Sequence, residues 1–215
     1  MGNRYPGRFK LFLGEPQMKT IIEVGANDGR DTQRFLADEQ NQVYAFEPTP
    51  ELIVHLQSNF KNRENFSLIP AAVDTANSFK WFNVAGQGDW GCSSLYEFTP
   101  DIHSKWEGRP DFKFTNRYKV MTIRLDTFIE QYGIGEIDYL WIDAQGNDFN
   151  VLCSLGDKIR MVKEGKCEGS YTVELYQNTN NHVNTISAWL ETQGFSCTIV
   201  PDSLGKEADL HFKRV

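Results

Sequence analysis

Thr20-Ile-Ile-Glu-Val-Gly-Ala-Asn-Asp-Gly29, answered by Val43-Tyr-Ala-Phe-Glu-Pro48, is the part of the chain whose reading decides the fold. A short apolar run ends in two glycines, a helix-like segment follows, and a second apolar run ends in a carboxylate. This is the layout of a nucleoside-binding βαβ unit. Gly25 and Gly29 let the backbone turn sharply and approach a ligand, because neither carries a Cβ. Glu47, at the carboxyl end of the next parallel strand, is placed to accept hydrogen bonds from both hydroxyls of a ribose. The spacing is Gly-x-x-x-Gly, not the Gly-x-Gly-x-x-Gly that brings a pyrophosphate to a helix N-terminus. A nucleoside without a pyrophosphate fits better, and S-adenosylmethionine is the commonest such cofactor. The plainer alternative is the strand, turn and helix of any α/β protein, with Asn27 or Asp28 merely capping the helix.

Outward from this unit the chain keeps alternating. Thr20–Gly25, Gln42–Glu47 and Phe66–Val73 read as strands. Asp31–Glu39 and Pro50–Phe60 read as helices, the second with Leu52, Ile53, Leu56 and Phe60 on one face. After the middle of the chain, Val120–Leu125 resumes as a strand, Leu125–Tyr132 as a short helix, and Ile137–Asp143 as a buried strand ending in an acid. Asn147–Leu155 is the next helix, Tyr171–Tyr176 a strand containing Glu174, and Val183–Gln193 an amphipathic helix stopped by Gly194. Phe195–Val200 and Ala208–Lys213 share a short connection and must be antiparallel. This order predicts an α/β fold, a mostly parallel sheet with helices on both faces. Residues 76–118 break the pattern: Phe79–Val84 reads as one strand of a hairpin, Gly86–Gly91 as a loop, and the rest as irregular and aromatic-rich. Irregular stretches of this length are usually functional. Residues 1–19 read as an arm or the remnant of a linker, and residues 20–215 as one domain.

Composition narrows the class. The chain has 215 residues, 40% of them hydrophobic and 24% charged, ordinary values for a globular protein. A formal net charge of -7 without any Lys/Arg run argues against nucleic acid as a partner. No segment approaches the ~18 apolar residues of a membrane span, and the first residues lack an apolar signal region. Cys92, Cys153, Cys167 and Cys197 are scattered with no C-x-x-C pair. Reduced thiols, a cytoplasmic location and no zinc site are the expectation.

Asp138-Tyr-Leu-Trp-Ile-Asp143-Ala-Gln-Gly146-Asn-Asp148 is a second constellation, running from a strand into a turn and helix. Ligands bind outside the carboxyl ends of such strands, so Asp143 faces the same crevice as Gly25 and Glu47. Together with Phe46-Glu47-Pro48, Pro70-Ala-Ala-Val73 and Ile123-Arg-Leu-Asp-Thr-Phe128, it resembles the FkbM family of methyltransferases. That family shows Gly-Ala-Asn-x-Gly, Phe-Glu-Pro and Asp-x-x-Gly-x-Glu motifs; here Asp148 stands in place of the last Glu. The resemblance covers about Thr20 to Tyr176. It implies a class I, Rossmann-like sheet of seven strands with an antiparallel C-terminal strand. It also implies an S-adenosylmethionine-dependent O-methyltransferase acting on sugars or secondary metabolites. In that frame Glu23, Gly25, Asn27, Asp28, Gly29, Glu47, Pro48, Ala72 and Asp143 would surround the cofactor.

Methyl transfer to an alcohol needs collinear donor and acceptor and a way to remove the hydroxyl proton. Asp143 is the best-placed base, with Glu174 and His182 as further candidates. Asp143, Asp148 and Glu174 could alternatively gather Mg²⁺ to orient and acidify the acceptor. Flat aromatics interleaved with polar groups in the irregular middle suit a carbohydrate or glycoside, and Trp90, Ser93, Ser94, Tyr96 and Gln145 are the substrate-side candidates. The rivals are a NAD-dependent oxidoreductase, disfavoured by the missing middle glycine and the lack of a Tyr-x-x-x-Lys pair, and a non-catalytic module that kept the fold and binds glycan or a partner. Either an independent enzyme or one domain of a larger glycan-assembly polypeptide fits this sequence.

Overall fold

The structure is a computed structural model that describes residues 18–86 and 89–215; the expected N-terminal arm lies almost wholly outside the described residues. The chain runs β1 (Lys19–Val24), α1 (Arg30–Phe35), β2 (Asn41–Phe46), α2 (Pro50–Phe60), β3 (Phe66–Ile69), β4 (Ala72–Val73) and β5 (Ser78–Val84). There follow α3 (Ile102–Lys105), β6 (Asn116–Ile123), α4 (Leu125–Tyr132), β7 (Ile137–Ile142), α5 (Asp148–Cys153) and β8 (Val162–Ser170). The chain closes with α6 (Val183–Thr192), β9 (Phe195–Pro201) and β10 (Glu207–Arg214).

Seven strands form one sheet in the order β3-β2-β1-β7-β8-β10-β9, and β10 alone runs against its neighbours. The order reverses between β1 and β7, which pair in parallel from Ile21↔Tyr139 to Val24↔Ile142. A crevice at the carboxyl ends of the strands opens at this switch point.

Period-two alternation sorts β1 between the two faces. Ile22 and Val24 join Phe46, Phe128, Leu140 and Ile186 in the larger core. Ile21 packs with Val43, Ala45, Leu36 and Leu56 on the other face. Glu23 shares that second face, which carries it toward α1 and away from the crevice.

Three expectations need correction. The segment Phe66–Val73 is not one strand: β3 pairs with β2 as far as Ile69, and β4 joins β6 in a separate three-stranded sheet of order β4-β6-β5. Pro70 between them has no N–H to continue the ladder, and Ala71 N–H closes a tight turn onto Ile69 O at 2.8 Å. The fifth strand of the main sheet is β8, not Tyr171–Tyr176, which is irregular. Its sequence, Val-Lys-Glu-Gly-Lys-Cys-Glu-Gly-Ser, disguises it with charges and two glycines. Both glycines are required, because a Cβ on Gly165 would lie 2.3 Å from Leu140 O and one on Gly169 2.4 Å from Asn181 O. Helix α1 ends at Phe35, short of the expected Glu39.

The irregular middle is more ordered than its composition predicts. β5 pairs antiparallel with β6 from Ser78↔Thr122 to Val84↔Asn116, and between them lie a 3-10 turn at Trp90–Cys92 and the short α3. Most of its aromatics build a core of their own. Phe98 stacks between Phe112, Phe114 and Tyr176, and Trp106 packs edge-on against Phe112.

Candidate active site

The ends of β1, β2 and β7 are tied together by backbone contacts that only this sequence permits. Gly25 and Ala26 N–H both donate to Phe46 O at 3.0 Å, and Asp143 N–H donates to Val24 O at 2.9 Å. Gly25 has φ +89°, and a Cβ on it would sit 2.0 Å from Asp143 O. Glycine is therefore demanded twice there, by conformation and by the approach of the β7 loop.

Glu47 locks the β1 loop to the β2 loop. Its Oε2 accepts from Asn27 N–H at 2.8 Å and its Oε1 from Thr49 N–H at 2.7 Å. The residue is 4% exposed, and burial pushes its pKa up against these two hydrogen bonds. Each oxygen keeps a further acceptor position, so the carboxylate fits a ribose diol while still holding the loop. The Asn27 side-chain oxygen is buried with no partner, and the residue lines the cleft. Gly29 is the N-cap residue of helix α1, and Asp28 just before it does cap in part: its Oδ1 accepts from Arg30 N–H, the first free donor of the helix, at 3.1 Å.

The cleft encloses about 560 Å³, its open mouth included. Gly25, Asn27, Glu47, Pro48, Ala72 and Asp143 of the expected cofactor set line it. Glu23, Asp28 and Gly29 do not. Glu23 is fully buried beside α1, where it accepts from Thr32 Oγ1 at 2.6 Å; burial raises its pKa to about 8. Asp28 is exposed and pairs with Arg30, while Gly29 is pressed against Leu56 and Phe60 of α2.

Trp90 and Gly91 also line the cleft, with Ser93 and Leu95, and Gly91 lies against Asn27: a Cβ on it would be 3.4 Å from Asn27 Nδ2. Asp89 holds the turn by accepting from Gly91 N–H at 3.1 Å, and Arg109 fastens Asp89 from behind at 2.5 Å. Arg109 also grips Asp111 and stacks 4.0 Å over the Phe112 ring. Ser93 Oγ donates to Trp90 O at 2.8 Å and accepts from Ala85 N–H at 3.1 Å. Ser94 and Tyr96, expected on the substrate side, are supports. Ser94 Oγ donates to Gln145 O at 2.6 Å, and the Tyr96 hydroxyl lies between Asn147 and Asn150.

Asp143 closes the floor. Its Oδ1 accepts from Gln145 Nε2 at 2.5 Å, and burial raises its pKa. Gln145 holds φ +49°, an unusual backbone state for a residue with a side chain. Its Oε1 is 2.9 Å from the Tyr176 hydroxyl, which also lies 2.9 Å from Cys92 O and shares its one proton between them. A chain of contacts thus runs from the β7 loop to the aromatic core of the middle segment.

The other expected catalytic residues lie elsewhere. Glu174, carried on an irregular loop, accepts from Ser170 Oγ at 2.8 Å and lines a smaller neighbouring pocket with Asp148. His182 is the N-cap of α6: one ring nitrogen accepts from Asn184 N–H at 3.2 Å and the other contacts Tyr171 O at 2.9 Å. Asp143, Asp148 and Glu174 do not converge, and among the described residues no three His, Cys, Asp or Glu side chains are placed to hold a metal. Among further wall residues, Thr49, Phe82 and Leu95 have no motif to reveal them, while Ala71 and Asn147 lie inside quoted motifs without being picked out for the site. Asn147 donates to Val73 O at 2.8 Å, fixing the β7 loop to β4; only the three-dimensional pairing exposes that link.

The strand order with its single reversed strand, and a cleft at the switch point between β1 and β7, define the class I methyltransferase fold. The sequence matches the methyltransferase FkbM domain over residues 23–197, and the chain belongs to that family. Among curated relatives it is 28% identical over 163 residues to the 2-O-methyltransferase NoeI of Sinorhizobium fredii (strain NBRC 101917 / NGR234), covering 73% of this chain and 65% of that protein. The chain thus spans just under two thirds of that relative. Its fold is similar to that of SMU.1697c of Streptococcus mutans, solved in complex with SAH, with TM-score 0.50, 10% identity, and coverage of 93% and 90%. Aeropyrum pernix fibrillarin, with natively bound S-adenosyl-L-methionine, gives TM-score 0.50 at 11% identity, covering 94% of this chain and 69% of that one. No helix among the described residues is long and apolar enough to cross a membrane.

Proposed function

We propose that this protein is an S-adenosylmethionine-dependent O-methyltransferase acting on a sugar hydroxyl of a glycan or glycoside. The observation that carries this reading is the cleft at the switch point, where Glu47 retains free acceptor positions, Asn27 has an unpartnered buried oxygen, and Asp143 lines the same cleft. Family membership makes methyl transfer the expected chemistry, and NoeI, a 2-O-methyltransferase by name, favours oxygen as the acceptor atom.

Bound S-adenosylmethionine supplies an electrophilic methyl group. Glu47 would hold its ribose, Asn27 its methionine portion, and Ala71 with Ala72 would leave room for a flat base. Asp143 accepts the proton of the acceptor hydroxyl; its raised pKa makes it a stronger base, and Gln145 fixes its orientation. Trp90, Phe82 and Leu95 offer an apolar wall to the C–H face of a sugar and exclude water. The four free cysteines suit a reducing compartment such as the cytoplasm.

Calorimetric titration with S-adenosylhomocysteine, with NAD⁺ as control, tests the cofactor; micromolar binding of the former alone is expected. A glycoside screen then tests the acceptor. Asp143→Asn should bind S-adenosylhomocysteine normally while losing on the order of 10²–10⁴ in turnover. Binding of NAD⁺ in its place, or full turnover by Asp143→Asn, would defeat the reading.

A further inference from the structure

Asp143 is joined to a distant aromatic through one side chain. Its Oδ1 accepts from Gln145 Nε2 at 2.5 Å, and Gln145 Oε1 lies 2.9 Å from the Tyr176 hydroxyl. Asp143 Oδ2 takes part in no hydrogen bond among the described residues. Tyr176 is buried, and its ring is held on both sides: it stacks on Phe98 with centroids 5.4 Å apart, and a Cβ on Gly146 would come within 2.8 Å of it. Gln145 at φ +49° and Gly146 at φ +86° both take left-handed backbone, which bends the loop after β7 to meet the phenol. Ser94 Oγ fixes the same bend by donating to Gln145 O at 2.6 Å. A glutamine persists in that backbone state where its surroundings over-determine it.

An amide has two ends of nearly equal size, and its neighbours decide which way it lies. A carboxylate only accepts, so Nε2 must face Asp143 and Oε1 must face Tyr176. The phenol has one proton and two claimants, Gln145 Oε1 and Cys92 O, each at 2.9 Å. The bond from Nε2 to a charged acceptor polarises the amide and makes Oε1 the stronger claimant. With the proton on Cys92 O instead, two bare oxygens would face each other. The amide would then turn over and set its own oxygen against the Asp143 carboxylate. The phenol proton therefore decides which end of Gln145 meets Asp143.

We propose that Tyr176 is a positioning residue of the reaction: through Gln145 it pins Oδ1 of Asp143, so that Oδ2 is the oxygen that takes the acceptor's proton. This rests on the methyltransferase reading for the role of Asp143. Oδ2 receives the hydroxyl proton, the freed oxygen pair forms the bond to the methyl group, and the methyl–sulfur pair returns to sulfur. Tyr176 gives up no proton in this step; it and Gln145 keep the carboxylate from turning. The charged neighbours of Asp143 are Lys166 and Glu168 of β8, Asp209 and Glu207 of β10, Asp31 of α1, Asp148 of α5, and Glu47 after β2. Replacing the phenol by a phenyl ring changes none of them.

The test is NMR on the labelled full chain with S-adenosylhomocysteine, reading the Gln145 side-chain amide and the Asp143 carboxyl carbon; Gln145→Met assigns the amide by its loss. In the wild type the Tyr176 hydroxyl proton should exchange slowly enough to be seen and show an NOE to that amide. Tyr176→Phe keeps the ring stack. In it the Gln145 amide should exchange with water about tenfold or more faster, and Asp143 should titrate at higher pH, its charged form having lost a fixed donor. Gln145→Met should raise the Asp143 titration at least as far, and the double variant no further. On a glycoside returned by the acceptor screen, Tyr176→Phe should lower kcat about tenfold with KM unchanged. An absent NOE in the wild type, an Asp143 titration unmoved by Gln145→Met, additive shifts in the double variant, or full kcat in Tyr176→Phe would overturn the inference. Failure of S-adenosylhomocysteine to bind while the NOE and the titration shifts stand would overturn the methyltransferase reading alone.

Discussion

Glu47, just past the end of β2, and Asp148, the first residue of α5, are both buried carboxyls, yet their surroundings differ. Glu47 has a backbone N–H on each oxygen; Asp148 has one oxygen bonded and the other abandoned. The first carboxylate is part of the scaffold even before a ligand arrives, because it knots two loops together. The second is held in a state that the fold alone does not reward. The main cleft is therefore preorganised around its carboxylate, and the smaller pocket beside it is not.

The largest effect should come from breaking the knot at its backbone. Gly25→Ala places a methyl group 2.0 Å from Asp143 O at φ +89°, and should cost roughly 4 kcal/mol or more, read by denaturant melts. Glu47→Ala strips two buried N–H groups of their acceptor. It should destabilise by about 2–4 kcal/mol and abolish measurable S-adenosylhomocysteine binding in calorimetry.

Two smaller effects have the opposite sign. Burial raises Glu23 from 4.5 to about 8, so the folded protein retains a proton that the unfolded chain releases between those values. Stability is lost as pH climbs through that window. Glu23→Gln keeps an acceptor for Thr32 and removes the charge. It should gain on the order of 2 kcal/mol at pH 8.5 and almost nothing at pH 4.5, seen as a flatter profile of Tm against pH. Asp148→Asn, which keeps the bond from Glu168 N–H, should gain about 1 kcal/mol at pH 8 and less at pH 5. A destabilised Asp148→Asn would erase the contrast with Glu47.

The sequence reveals best what is local. Gly25, Glu47 and Asp143 are legible because each closes an apolar run, and strand ends in a parallel sheet share one edge. Glu23 sits in the same motif but shares the face of Ile21, turned toward Thr32 of α1. β8 escapes notice because its charges are consumed across the sheet: Lys166 by Asp209 and the Trp141 face, Glu164 by Lys213. Tyr171–Tyr176 misleads in the converse way. Its apolar residues are buried by the middle segment, where Tyr176 stacks on Phe98, and not by strand neighbours. Trp90 and Ser93 could be singled out by their flanking glycines, whereas Phe82 and Leu95 enter the wall only because β5 folds back over the cleft.

The small sheet β4-β6-β5 gives this molecule a replaceable part. The stretch from Ser78 to Ile123 returns to within one strand of where it left, and it meets the loop after β7 through Ser94 on Gln145 and Tyr96 on Asn147. Recombination between relatives at these two seams should exchange the acceptor wall as a cassette. The seven-stranded frame would pass through unaltered so long as a hydroxyl at position 94 and the Phe98 ring that covers Tyr176 travel with the insert.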